Sequence, residues 1–132
     1  MSFCNTYKVI NPVIMGCSMG GRVVLHLALE QSNFLRAVIA LEGSDKLDAY
    51  YDLDWLHRPD VHGGEVQAAF VSSQIAPQSP EIFKHETLWH YMQGGPGVFK
   101  GDLYFYWHDG DFDDRSKLID TQKCPVLSLI HI

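Results

Sequence analysis

The sequence predicts the α/β class, with a strand–helix–strand unit near its start, and three observations carry that expectation. Residues 12–17 form a short, nearly continuous apolar run led by Pro12, the pattern of a parallel strand covered on both faces. Val23, Val24, Leu27 and Ala28 then recur at helical spacing. Leu25 and Leu29 widen that stripe to an almost wholly buried helix, which is expected to end near Ser32 and Asn33. Arg36 through Leu41 is a second apolar run, with Gly43 just behind it. Strand, helix and strand in that order make one right-handed βαβ unit.

Between the first strand and the helix lies Gly16-Cys17-Ser18-Met19-Gly20-Gly21. Its G-x-S-x-G spacing predicts a serine on a very tight strand-to-helix turn, the backbone strained and the hydroxyl held above the sheet edge. Gly16 and Gly20, two residues before and after the serine, leave room for that turn. At average glycine and serine usage the bare pattern arises by chance in about 4% of chains this long. The flanking strand and helix are therefore what give it weight.

Beyond the second strand the composition changes. Asp, Tyr, Trp and His are enriched from Asp45 to His62 without a periodic pattern, so a loop with at most short helical turns is expected. Gly63 and Gly64 precede a predicted helix over 65–75, with Val66, Ala69, Phe70 and Ser73 on one stripe and Pro77 as its stop. A further helix has Ser79 as N-cap, Pro80 in its first position and Glu81 on the favourable end of the dipole. Ile82, Phe83, Trp89 and Met92 follow at helical spacing up to Gly94-Gly95-Pro96. Residues 102–107 fit either strand or helix. Cys124-Pro125-Val126-Leu127 begins a last strand.

With these pieces in place the chain resembles the α/β-hydrolase superfamily, in its branch of serine hydrolases that carry a mostly helical cap after the strand following the elbow helix. The resemblance rests on Asn11-Pro12-Val13 through Arg22, on Arg36 through Gly43, and on Cys124 through Leu127. It implies a partial α/β-hydrolase fold: residues 1–43 as the core fragment with the nucleophile strand, elbow, helix and next strand, 44–120 as the cap insertion, and 121–132 as the return to a core strand. Residues 1–9 match the last turns of the helix that leads into the nucleophile strand. Ser18 is then the nucleophile and the backbone N–H of Met19 one of two oxyanion donors, with the helix dipole aiding the developing charge. The expected activity is hydrolysis of an ester, thioester, lactone or related acyl bond through a Ser18 acyl-enzyme. The alternative is a non-catalytic binding protein of the same fold.

Serine needs a histidine to accept its proton and an acid to orient that histidine, in chain order serine, acid, histidine. The resemblance places both partners beyond Ile132, so the chain alone is expected to be inactive. Glu42, just after the second strand, is the substitute acid within it. No histidine substitutes: His26 lies on the elbow helix and reads as a core residue, and His131 lies in the last strand. Cys17 precedes the apex of the turn and reads as a small apolar side chain.

Other constellations fail on spacing. Asp109, Asp111, Asp113 and Asp120 occupy calcium-loop positions, but Asp114 stands where the sharp turn needs glycine and Ser116 where an apolar anchor belongs. His57 and His62 share a loop, and His85 and His90 are five apart on one predicted helix, which does not bring two ligands to one face. A nucleotide-binding glycine loop needs G-x-G-x-x-G, and Arg22 is the one basic residue near phosphate position. No metal and no cofactor is called for.

Composition narrows the class further. A hydrophobic content of 46% with 12% aromatics excludes a disordered chain. A net charge of −6, with ten scattered Lys and Arg, argues against a nucleic-acid partner. No apolar stretch approaches a membrane span and residues 1–10 lack a signal-peptide core, so a cytoplasmic protein without a membrane partner is expected. Cys4, Cys17 and Cys124 are expected to be reduced, buried thiols. The expected partner is a small-molecule substrate with an apolar or aromatic group, because the insert is rich in large rings, although any single ring fits the insert's own core better than a pocket lining. Oligomeric state has no sequence signal. The last six residues, 127–132, equal the translation of CTGTCTCTTATACACATC, a transposon end used in sequencing-library preparation, so native sequence is expected to stop near Val126, the alternative being a natural strand, which Leu127, Leu129 and Ile130 suit.

Overall fold

The computed structural model describes residues 2–46, 53–58, 60–109 and 112–129. They form a mixed α/β structure that divides into two compact units, Met1–Asp48 with Tyr106–Ile132, and Ala49–Phe105.

The first unit holds a parallel sheet in the order β1-β2-β3, formed by β1 (Val13–Cys17), β2 (Ala37–Leu41) and β3 (Val126–Leu129). A short helix α1 (Ser2–Thr6) precedes β1, and α2 (Met19–Glu30) carries the chain from β1 to β2. Parallel neighbours require such a crossover because the chain must return to the starting end of the sheet. Register pairs Ile14 with Val38 and Gly16 with Ala40, and further along Val38 with Val126. The core lies where α2 covers this face: Val24, Leu25, Ala28, Leu35, Val38, Ala40, Phe112 and Cys124 are all buried. Phe112 arrives just ahead of a 3-10 turn (Asp113–Leu118), and its ring meets His26 edge-on at 4.3 Å between centroids.

The opposite face of the sheet departs from expectation. Val13, Met15, Cys17, Leu127 and Leu129 are exposed there, and Ile39 and Leu41 between them are half-buried. Coverage on both faces is therefore corrected to coverage on one. The apolar run is real, but α2 reaches only the residues on its own side of the pleat. The expectation of buried cysteines is corrected too: Cys124 is buried, Cys4 on α1 is half-buried, and Cys17 is exposed on the uncovered side of β1.

The second unit contains a 3-10 turn (Asp54–His57) and three helices, α3 (Gly63–Ser72), α4 (Glu81–Met92) and α5 (Val98–Tyr104). Residues 102–107 are thus helical, α5 running on into a π turn at Phe105–Asp109. Helix α3 buries Gly63, Gly64 and Ala68 in place of the expected stripe, and Phe70 is 56% exposed. Small residues decide this packing: a Cβ at Gly64 would lie 2.8 Å from the Tyr91 carbonyl oxygen, so only glycine lets α3 approach the end of α4. Helix α4 begins one residue later than expected. Pro80 has ψ 137° and is the N-cap itself, leaving Glu81 as the first helical residue. The hydrogen bond from Lys84 holds the Glu81 carboxyl below its usual pKa. The expected insertion, 44–120, is wider than this unit at both ends, because Asp45 and Phe112 bond to each other within the first unit.

Candidate active site

Ser18 stands between the last residue of β1 and the first of α2, with no intervening loop. Its φ of 55° and ψ of −119° are the mirror image of the ordinary extended region, a conformation that costs a non-glycine residue about 1–3 kcal/mol. Three backbone hydrogen bonds hold it there. Its N–H donates to Leu41 O at 2.8 Å, and its carbonyl accepts from Gly21 N–H at 2.9 Å and Arg22 N–H at 3.3 Å. The side chain is exposed.

Two close backbone approaches make this turn possible. A Cβ on Gly16 would sit 2.0 Å from Gly20 O, so the strand can pass under the start of the helix only without a side chain there. A Cβ on Gly21 would lie 2.8 Å from Gly43 Cα, and one on Gly43 would lie 2.8 Å from Gly21 Cα. Gly20 differs, since a Cβ there would meet nothing within 4 Å and it is the Gly20 carbonyl that crowds Gly16. Sequence reading singled out Gly16 and Gly20 and passed over the Gly21–Gly43 contact. A glycine a few residues beyond the end of each apolar run, Gly21 after Cys17 and Gly43 after Leu41, was the available signal.

Met19 opens the twelve-residue helix α2, so its N–H has no intrahelical carbonyl to bond and lies at the positive end of the dipole. Arg22, one turn on, is fully buried. Its Nε donates to Ser44 O at 2.8 Å, its Nη1 to Tyr106 O, and its guanidinium carbon sits 4.1 Å from the centre of the Tyr106 ring. It fastens the segment after β2 and the segment at 106 to the helix that carries the serine. Sequence reading weighed Arg22 only as a phosphate ligand.

Glu42 follows β2 one position beyond Leu41, whose register partner is Cys17, so Ser18 and Glu42 leave adjoining strand ends. Its φ is 48° and its N–H donates to Leu129 O at 2.7 Å. Glu42 lines a cavity of about 580 Å³ with Ser44, Asp45, Ser116 and Ser128, where Ser116 Oγ donates to Asp45 Oδ2 at 2.8 Å.

Among the described residues no hydrogen bond joins Ser18 to a histidine ring. His26 packs on Phe112 and His108, also in the first unit, meets Trp107 edge-on, while His57, His62, His85 and His90 belong to the second unit and His131 lies outside the described residues. No group of three or more His, Cys, Asp or Glu among the described residues is arranged to hold a metal ion. Of the four aspartates at calcium-loop spacing, Asp111 lies outside the described residues. Asp120 closes a turn, accepting from Gln122 N–H at 3.1 Å, and Lys123 beside it holds its carboxyl below the usual range. Burial pushes the Cys124 thiol up. Among the described residues no helix is long and apolar enough to cross a membrane. Comparison with protein-family models, with curated proteins and with solved structures finds no match to this chain.

Proposed function

We propose that Ser18 is the nucleophile of a serine hydrolase of the α/β-hydrolase kind, acting on an ester, thioester, lactone or related acyl bond. The observation that carries this reading is the backbone of Ser18. A strained, exposed serine at a strand-to-helix turn, with the helix N-terminus directly behind it, is costly to keep for structure alone.

In the proposed reaction Ser18 Oγ bonds to the acyl carbon as its proton passes to a histidine base. The Met19 N–H and the helix dipole stabilise the oxyanion, and the bond to the leaving group breaks as that group takes the proton. Water then cleaves the Ser18 ester by the reverse roles. Glu42 is the acid nearest in register to the serine and is the substitute candidate for orienting the histidine.

The test is covalent. A fluorophosphonate probe should label the chain sluggishly by itself, because among the described residues no histidine is hydrogen-bonded to Ser18, and faster when imidazole is supplied in solution. Peptide mass spectrometry should place the adduct on Ser18, and Ser18→Ala should abolish it. Labelling spread over other serines, or unchanged in Ser18→Ala, would remove the reading. The serine would then be structural, and the binding-protein alternative would stand.

A further inference from the structure

We propose that the second unit contains a binding site for a small organic carboxylate with an apolar body, independent of the Ser18 reading. The unit is acidic, with three Lys and Arg against seven Asp and Glu over residues 49–105. Two of those three cations nevertheless converge on one small cavity of about 180 Å³. The third, Lys84, is engaged on α4 by Glu81 and by the Pro77 carbonyl.

The cavity has an apolar floor and a cationic rim. Trp55 and Phe99 stack with their rings 5.6 Å apart and 13° from parallel, and Leu56 beside them is buried. The rim is His57, Arg58 and Lys100, and no Asp or Glu is among the described residues that line the cavity. Arg58 is matched outside it by Asp60, its Nε donating to Oδ1 at 3.1 Å. Among the described residues Lys100 is not matched by a carboxylate: its Nζ lies 3.1 Å from His57 Nδ1. An ammonium has no lone pair, so in this contact Lys100 is the donor and His57 Nδ1 the acceptor. The Lys100 ammonium therefore stands at the edge of an aromatic floor.

That chemistry suits a monoanion carrying a single ring or a short chain. The volume is below the roughly 300 Å³ at which pockets for drug-sized ligands begin, which excludes long acyl chains. A single unmatched ammonium also suits one carboxylate better than a doubly charged phosphate, which calls for several charge-assisted donors.

The experiment is a titration of the whole chain with 4-fluorobenzoate followed by fluorine NMR. Saturable binding is expected, about tenfold weaker in Lys100→Met and in Trp55→Ala, and within about twofold of wild type in Lys84→Met. A ligand-side comparison needs no variant to fold: 4-fluorobenzylamine, with the same ring and the opposite charge, should not compete, and acetate should compete far more weakly. Absence of saturable binding, undiminished binding by Lys100→Met, or equal competition by the amine or by acetate would overturn the site.

Discussion

The two units use their apolar residues in opposite ways. Around the serine turn, α2 and β2 commit theirs to a common core in which Ala28, Val38, Ala40 and Phe112 are fully buried. In the second unit α4 buries none of its residues, and Ile82, Phe83 and Trp89 stay 67%, 59% and 60% exposed. What lets α3 approach the end of α4 is the absence of a side chain at Gly64, where a Cβ would lie 2.8 Å from the Tyr91 carbonyl oxygen. An apolar stripe on a helix is thus only an offer of burial. Whether it is taken up depends on a facing surface, and β2 supplies one to α2 that nothing among the described residues of the second unit supplies to the outer side of α4.

That contrast can be broken most forcefully at the turn. Gly16→Val should prevent folding of the first unit, because its Cβ alone would overlap the Gly20 carbonyl, and loss of the cooperative transition in circular dichroism would report it. Phe112→Ala should destabilise the first unit by about 3–5 kcal/mol in urea unfolding, the usual cost of emptying a fully buried aromatic site. Arg22→Met keeps much of the volume but leaves the Ser44 and Tyr106 carbonyls without their donor. A loss of about 1–3 kcal/mol is expected in the same unfolding measurement.

Ser18→Gly should act in the other direction. Glycine occupies positive φ without penalty, so this variant should be about 1 kcal/mol more stable than Ser18→Ala, which keeps the strain. A protein that gains stability on losing its serine is one that maintained the serine for another purpose. The smallest effect belongs to the second unit. Trp89→Gln removes a large ring yet should shift stability by no more than about 0.5 kcal/mol, because the ring is exposed. A loss of several kcal/mol there would mean that α4 has a partner surface after all.

Much of the first unit was legible in the residues. Pro12 to Cys17, the stripe from Val23 to Ala28 and the run Arg36 to Leu41 each obey a single local period, and each became the expected element within the margin by which helix and strand ends vary. The serine turn was legible for the same reason, since glycines at fixed offsets from a serine encode one backbone shape. The second unit was read less well. Helix α4 was found, but its burial was not, and the stripe on α3 was drawn through Phe70 when the buried face runs through Gly64 and Ala68. Large residues attract attention in a sequence, whereas close approach of two backbones is signalled only by what is missing.

The sequence by itself determined the α/β character of the chain, the order of its elements and the strained seat of Ser18. All three follow from interactions between residues a few positions apart. Only the tertiary structure decided that Gly21 must face Gly43, that Phe112 joins a core begun some eighty residues earlier, that Arg22 is a buried tie and not a surface cation, and that His57 and Lys100 meet over Trp55 and Phe99. Those contacts join residues distant along the chain. Their formation depends on how the elements pack, and no local period records it.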